Sequence, residues 1–266
     1  MARRTKTKAL LLLLAFTLIW IVVLAPAAVM TRLLPANAPL VLQGITGTVW
    51  SGVAAQAALA ESGQVLVQGR LAWRVRPLSL LRLSPCVELT FVDSGLPAAP
   101  QGTVAGTACV TAGGDLTLRD VTFDLPAAYF LRSADLRLGG EISGLLTTLT
   151  WQAGSLTALH GQGLWSNAGI LSDALNLTLQ TLPFSFRRDS DDSIIVQLDN
   201  GDLLAQQRDT PLHVALQSTV TLDGSFHTRA ELTVQSQTAD SVIELLDVVA
   251  EPQGAGLYTL ELRSQP

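Results

Sequence analysis

A two-residue alternation of apolar and polar side chains runs through most of this chain after residue 64. In VLVQGRLAWRVR the apolar members of the alternation are Val65, Val67, Leu71, Trp73 and Val75. The same period returns in five later stretches, around residues 175–179, 196–198, 216–222, 230–234 and 258–262. One-sided alternation is typical of antiparallel sheets with one apolar and one wet face. The sequence therefore predicts a mainly β fold, a long twisted or curved antiparallel sheet, with a β-sandwich as the alternative.

Turn residues and two helical patterns divide the strands. Asn200-Gly201 predicts a hairpin joining SIIVQLD to DLLAQQ, and Asp223-Gly224 predicts a second hairpin. The alternation changes phase at Arg119-Asp120, which predicts a bulge or tight turn. SVIELLDVVAEP has its apolar residues at helical spacing, and residues 126–134 predict a shorter helical piece. We expect both helical pieces to cover part of the apolar face of the sheet.

The N-terminus combines a basic tail with a long uncharged segment. Residues 1–8 contain Arg3, Arg4, Lys6 and Lys8, and residues 9–30 carry no charge. A helix of that length spans about 30 Å, the thickness of the hydrocarbon core of a bilayer. The positive-inside rule predicts a cytoplasmic tail at 1–8, a transmembrane anchor at 9–30 and an exported β-rich domain at 31–266. A cleaved signal peptide is the alternative, because Ala25-Pro26-Ala27 has the small residues of a cleavage site.

Charge and cysteine content narrow the functional classes. The net charge is −5, and removing the four tail bases leaves 13 basic against 22 acidic residues, about −9. An acidic body without a basic stripe excludes nucleic acid as the expected partner. In an oxidising compartment Cys86 and Cys109 are most simply a disulfide, with two buried free thiols as the alternative.

The sequence contains no recognisable constellation for catalysis. His160, His213 and His227 are far apart in the chain, and no phosphate loop, GxSxG or HExxH motif occurs. A hydrolase requires distant residues such as His160 and Asp189 to meet in space. The acidic residues around Asp189 are a candidate calcium loop, although a solvated turn explains them better. We expect no enzyme activity, cofactor or metal.

Several short motifs occur in an order that points to one family. The segment LVLQGITGTVWSG is followed about 20 residues later by a W-x-x-x-P strand, and Leu138-Gly139-Gly140 and Gly163-Leu164-Trp165 come later. Over nearly the whole chain this order resembles the type II secretion system protein N family, which is itself similar to AsmA-like proteins. The residues that carry the resemblance are Gly44, Gly47, Trp50, Gly52, Trp73, Pro77 and Trp165.

The resemblance implies a bacterial inner-membrane protein with one anchor and a periplasmic domain. Members of the family are accessory components of the machine that moves folded proteins across the outer membrane. They associate with its inner-membrane platform or its secretin, which makes those components the expected partners here. The likeness to AsmA-like proteins, whose curved sheets present an apolar groove, implies the alternative of a periplasmic lipid-handling module.

Two further expectations concern surfaces. We expect Gly47 to Ser51 to form a strand whose Trp50 packs on the apolar face, with glycines placed where a large ring approaches closely. Gly163 to Ser166 echoes this stretch and suggests a duplicated sheet unit. Exposed sheet edges offer partners a route by strand addition. Arg74, Arg76 and Arg82 form a local positive patch, suited either to lipid head groups or an acidic partner or simply to a wet strand face.

Overall fold

The computed structural model describes parts of the N-terminal segment and most of the chain from residue 40 onward. The described residues are 13–14, 16–17, 20–21, 23–29, 40–61, 64–81, 83–93, 101–129, 137–171, 176–190, 192–201, 212–235, 238 and 240–264. The predicted basic tail at 1–8 lies outside them.

Within the described residues, fourteen strands form one antiparallel sheet in which almost every strand pairs with the next strand in the chain. The strands are β1 Leu40–Gly47, β2 Ser51–Glu61, β3 Gln64–Arg76, β4 Cys86–Asp93, β5 Thr103–Val110, β6 Leu116–Pro126, β7 Arg137–Gln152, β8 Ser155–Leu171, β9 Asn176–Ser190, β10 Ser193–Asp199, β11 Leu212–Thr221, β12 Phe226–Val234, β13 Glu251–Gly254 and β14 Leu257–Ser264. The order departs from the chain order only at the last edge, where β14 lies between β12 and β13. The prediction of a long antiparallel sheet is confirmed. The described strands form one sheet rather than the two of a sandwich.

Strand register gathers the alternating apolar residues onto one surface, which we call the apolar face. A row of directly paired positions crosses thirteen strands without a single polar side chain. The row is Ile45, Ala54, Leu71, Phe91, Val104, Phe123, Gly144, Gly163, Phe184, Leu198, Leu216, Ala230 and Leu260. Because neighbouring strand residues point to opposite faces, the adjacent row lies on the other side, here called the polar face. From β8 onward that row reads Gln162, Ser185, Gln197, Gln217, Arg229 and Glu261.

Helix α2 covers one end of the apolar face. Helix α1 is the single turn Pro77–Leu80, and α2 is Asp240–Val249, which confirms the helix predicted after residue 240. Val242 and Leu246 of α2 are buried in one cluster with Leu182, Leu232 and other residues of β8 to β14. The Tyr258 hydroxyl of β14 donates a hydrogen bond to Asp247 of α2 at 2.8 Å. Of the shorter predicted helix, Ala127–Tyr129 form a 3-10 turn, and residues 130–134 lie outside the described residues.

A second, smaller cluster of buried residues lies near the opposite edge of the sheet, at β2 and β3. Ala27 of the N-terminal segment is buried there against Ala54 of β2 and Trp73 of β3. Ala27 donates its backbone N–H to Gly47, and Pro26 forms an isolated antiparallel bridge with Thr48. The N-terminal segment therefore joins the sheet at the turn between β1 and β2.

Two local predictions are wrong and two are confirmed. Trp50 does not lie in a strand on the apolar face, because Thr48 to Trp50 form the turn that separates β1 from β2. Strand β10 pairs with Leu212–Thr221 rather than with DLLAQQ, which lies outside the described residues. The turn at Asp223-Gly224 joins β11 to β12 as predicted. The phase slip at Asp120 is a bulge, with a positive φ of 51° and a register shift against β5.

A disulfide joins Cys86 to Cys109, which face each other across β4 and β5. It closes a sequence separation of 23 residues. Since Val75 and Val87 belong to the apolar face, the neighbouring pair Arg76 and Cys86 places the disulfide on the polar face. The predicted pairing is therefore present in the structure.

Residues 13 to 23 are helical wherever they are described, and Leu24 donates its N–H to the carbonyl of Trp20. Within the described residues, no helix has the length and apolar character needed to cross a membrane.

Candidate interaction surfaces

Most of the motif residues meet where the N-terminal segment joins the sheet. The Trp73 ring lies directly over Gly52, where an added Cβ would approach ring carbons to 2.4 Å. The Trp73 indole N–H donates to the carbonyl of Val49 at 3.3 Å. In the same turn, the carbonyl of Trp50 accepts the N–H of Val75 at 2.7 Å. The large ring that requires a glycine is therefore Trp73 of β3, not Trp50.

The remaining motif residues have separate positions. Gly44 has a φ of +63° inside β1, opposite Ala55, and Pro77 is the first residue of α1. Trp165 lies on β8, five strands from Trp73, and donates its indole N–H to the carbonyl of Gly139 at 2.8 Å. Both tryptophans thus bind a backbone carbonyl about two dozen residues earlier. The structural counterpart of Trp165 is therefore Trp73, and not Trp50 as the sequence echo suggested.

Aromatic rings lie over glycines along the apolar face. A Cβ added at Gly69, Gly144, Gly161 or Gly163 would approach a phenylalanine ring of a neighbouring strand to 2.2–2.5 Å. The rings are those of Phe91, Phe123, Phe186 and Phe184 respectively. Aromatic side chains over strand glycines shield the backbone and fix the register. These pairs also keep the apolar face flat, because each ring occupies the space that a side chain at the glycine position would fill.

The apolar face differs in burial along its length. Among the described residues of β8 to β14 and α2, the buried apolar residues include Leu156, Ala168, Leu179, Leu182, Leu212, Val214, Ala230, Leu232, Val242, Leu246 and Tyr258. In β4 to β7 the large apolar-face side chains are only half-buried, among them Phe91, Leu118, Phe123, Leu146 and Leu149. We call β4 to β7 the bare part of the apolar face and β8 to β14 the helix-covered part. Among described residues, the bare part has helical contacts from α1 at β4 and from the 3-10 turn at β7, two elements that adjoin those strands in the chain.

A wide groove of about 1260 Å³ crosses the polar face of β7 to β12. Its walls mix neutral polar and apolar side chains, with Asp199, His227, Arg229 and Glu231 as its charged or titratable members. The Arg229 guanidinium and the Glu231 carboxylate form a surface salt bridge with an N–O distance of 3.5 Å. This mixture, in a shallow depression, resembles an ordinary wet sheet face more than a pocket that orients a substrate.

The Asp199 carboxylate at the groove makes two close polar contacts. Its carboxylate accepts the N–H of Gly201 at 2.7 Å and faces the His213 imidazole at 3.1 Å. The Gly201 hydrogen bond, aided by His213 and opposed by partial burial, lowers the pKa of Asp199 below its ordinary 3.8. A carboxylate with a lowered pKa is a poor general base at neutral pH. The arrangement fastens the end of β10 to β11.

The other candidate residues do not converge on a site. His160 is exposed opposite Arg187, and Asp189 is exposed near the end of β9. Within the described part of the chain, no group of three or more histidines, cysteines or acidic residues could hold a metal ion. Asp191 of the candidate calcium loop and Arg82 of the positive patch lie outside it. Arg76, the patch residue nearest the disulfide, forms a salt bridge with Glu88 at 2.7 Å.

The two edges of the sheet differ in chemistry. β13 is four residues long, is exposed throughout, and contains Glu251 and Pro252. A short strand with a charge and a proline is a protected edge. β1 is eight residues long and has neither a charge nor a proline. Among described residues, its outer side is met at one end by Pro26, opposite Thr48.

Comparison with known proteins identifies the family of this chain. A family model described as "Type II secretion system (T2SS), protein N" matches residues 38–261, the whole span from β1 to β14. The chain belongs to that family. A type II secretion system protein N from Aeromonas hydrophila is 37% identical over 121 residues. That alignment covers 45% of this chain and 43% of the relative. No solved structure matches the chain.

The expected family is thus confirmed, and its motif residues have structural explanations. The sequence did not reveal the buried Asn200, whose side chain bonds both Leu212 and Val214 and so fastens the start of β11. A polar residue after a strand is the only signal of it in the sequence. The Asp247 to Tyr258 bond was missed because its partners belong to different elements.

Proposed function

We propose that this protein is an accessory component of a type II secretion system that works by protein contacts of its β domain. The observation that carries the proposal is the family match over residues 38–261. The open sheet supports it, since a long single sheet supplies two faces and two edges for contacts. The proposed position is the inner membrane, with residues 9–30 as a single anchor, a cytoplasmic N-terminus and a periplasmic domain. The uncharged run at 9–30, its basic flank and its exposed apolar side chains support that position.

The proposed route to partners is strand addition along the outer edge of β1. Strand addition supplies affinity through main-chain hydrogen bonds, and an edge strand without charges or prolines permits it. β1 meets that requirement, and the proline and charge of β13 oppose it there. A strand of the inner-membrane platform or of the secretin is the proposed occupant.

Photo-crosslinking in cells tests this route. A photoreactive amino acid at the exposed Val41 of β1 is compared with one at the exposed Gln253 of β13. The proposal expects an adduct with a platform protein or the secretin from position 41 and none from position 253. Adducts confined to the chain itself, together with unimpaired secretion in a deletion strain, would contradict both the route and the role.

A second candidate function is lipid handling on the bare part of the apolar face. The half-buried state of Phe91, Phe123 and their neighbours favours it. The fold leaves part of this apolar surface exposed to water, and covering it with a ligand is favourable in free energy. The glycine-supported rings form a flat apolar strip that suits acyl chains more than a shaped small molecule.

Native mass spectrometry of the full chain released from membranes tests the lipid function. Co-purifying lipid that disappears in a Leu146→Glu variant supports it. The matched control is Leu164→Glu, because Leu164 lies on the polar face. Retention of lipid in the Leu146→Glu variant, or no bound lipid in the natural chain, would leave secretion contacts as the only proposed function.

A further inference from the structure

The connection between β3 and β4 exposes leucine side chains to solvent. Residues 77–85, which we call the leucine loop, read PLSLLRLSP. Leu78, Leu81 and Leu83 are exposed by 76%, 82% and 74% of their surface, and α1 has no buried residue. Single exposed leucines are ordinary, but three in six residues form a patch that marks an interaction site.

The loop is held in shape by hydrogen bonds rather than by its apolar side chains. The Ser79 hydroxyl donates to the carbonyl of Arg76 at 2.6 Å and accepts the N–H of Cys86 at 2.8 Å. The carbonyl of Leu80 accepts the N–H of Leu83, which has a φ of +53°. A leucine in the left-handed region is uncommon and carries backbone strain. The leucines therefore stay exposed while polar groups order the loop.

The disulfide fixes the base of the same loop. Cys86 is the first residue after the loop, and its partner Cys109 lies directly opposite on β5. The carbonyl of Pro85 accepts the N–H of Val110, the residue after Cys109. A preorganised apolar patch binds its partner with little cost in ordering.

The N-terminal apolar segment enters the sheet beside this loop. The carbonyl of Ala25 accepts the N–H of Val49, and the carbonyl of Trp50 accepts the N–H of Val75, two residues before Pro77. The segment is therefore hydrogen-bonded to the turn between β1 and β2, and that turn is hydrogen-bonded to the end of β3. Two spacings between neighbouring chains put the segment roughly 10 Å from the end of β3, where the loop starts. The apolar side chains of the segment are exposed, including Phe16, Ile21 and Leu24. Two exposed apolar surfaces thus share one end of the sheet.

We propose that the leucine loop inserts its leucines into the lipid surface next to the N-terminal segment. The segment and the loop then form two points of contact, which fix the tilt of the sheet against the membrane. The exposed Arg74, two residues before the end of β3, suits anionic head groups at the same level. The loop proposal rests on the membrane position given under Proposed function.

Depth-dependent quenching with three labels tests the insertion. The two native cysteines form the disulfide, so one introduced cysteine carries a fluorescent label in the full chain. The positions are Leu81→Cys in the loop, Ile21→Cys in the N-terminal segment and Val248→Cys on α2. Val248 is the matched control because it is 83% exposed and α2 follows the opposite end of the strands. The chain is reconstituted into vesicles of phosphatidylethanolamine and phosphatidylglycerol that contain spin-labelled quencher lipids.

The loop proposal expects blue-shifted emission at position 81, and position 248 remains unquenched. Insertion of about 5–10 Å predicts a roughly two-fold loss of emission at position 81 with shallow quenchers and a smaller loss with deep ones. Quenching at 21 without quenching at 81 would overturn the loop proposal and leave the anchor intact. Quenching at neither position would overturn both, and quenching at 81 alone would support the loop and contradict the anchor. A blue shift at position 81 that appears only after secretion proteins are added would show that the loop binds protein, and would overturn its insertion into lipid.

Discussion

The helix-covered and bare parts of the apolar face are built from the same kinds of side chains but reach different burial. Leucines of β9 and β12 are buried beneath or beside α2, whereas those of β6 and β7 are half-buried. The difference comes from what lies above the sheet, because the apolar row crosses both parts without interruption. In a single sheet, alternation creates an apolar face, and separate elements decide how much of it is available to a ligand.

The bare part has other sources of stability. The disulfide links two of its strands, and the Phe123 ring over Gly144 shields its backbone. The helix-covered part relies on burial instead, with the Tyr258 to Asp247 bond fastening its cover. The following predictions separate these two modes of stabilisation.

The largest expected effect is the loss of a buried leucine. Leu182→Ala, at a position only 1% exposed, is expected to lower the free energy of unfolding by about 3 kcal/mol, since it leaves a cavity in the helix-covered part. Leu146→Ala in the bare part is expected to cost about 1 kcal/mol, because its side chain is only partly removed from water. Urea unfolding measures both values. Equal losses would show that the bare part is packed as tightly as the covered part.

Loss of the disulfide is expected to destabilise the bare part to a similar degree. Cys86→Ser opens a loop with a sequence separation of 23 and is expected to cost about 3 kcal/mol in the chain-entropy model. Hydrogen exchange should accelerate in β3 to β6 and stay unchanged in β11 to β14. The natural chain should also change its mobility on reduction, and the variant should not. An unchanged mobility difference in the variant would refute the pairing.

Removal of the Tyr258 hydroxyl tests how α2 is fastened. Tyr258→Phe keeps the buried ring and removes the hydrogen bond to Asp247, so we expect a loss in the free energy of unfolding that is smaller than the two losses above. That hydrogen bond raises the pKa of Tyr258, so its contribution is present below the ordinary pKa of 10.0 and is lost as pH rises through the higher folded value. Hydrogen exchange in α2 should accelerate at neutral pH. Unchanged exchange in α2 would mean that burial of Val242 and Leu246 alone holds the helix.

The smallest effect concerns the acid side of the stability profile. The pKa of Asp199 is lowered in the folded chain, so its contribution is present above the ordinary value of 3.8 and is lost as pH falls through the lower folded value. Asp199→Asn should remove that contribution, so we expect the variant to be slightly less stable than the natural chain at pH 7 and to approach it below about pH 4, which flattens the profile. A profile identical to that of the natural chain would show that the Gly201 and His213 contacts do not stabilise the end of β10.

Periodicity predicted the sheet, its two faces and α2, because these depend on local spacing of apolar residues. It could not supply the register that aligns Phe123, Gly144 and Gly163 across separate strands. Trp50 was misplaced because a glycine-rich strand and a glycine-rich turn have similar composition, and the contact of Trp73 with Gly52 that separates them is non-local. The hairpin at Asn200 was wrong for a related reason. Asn-Gly fits a two-residue turn, but the Asn200 side chain instead bonds β11, which begins at Leu212.

Hydroxyl-radical footprinting of the free chain tests the difference between the two parts most directly. Side-chain oxidation is measured at Leu118 and Leu146 of the bare part and at Leu182 and Leu232 of the helix-covered part. The half-buried state of the first pair predicts oxidation several times faster than that of the second, by roughly the ratio of their exposed surfaces. Equal protection of all four leucines would show that the middle of the apolar face is covered, and would contradict a ligand surface there.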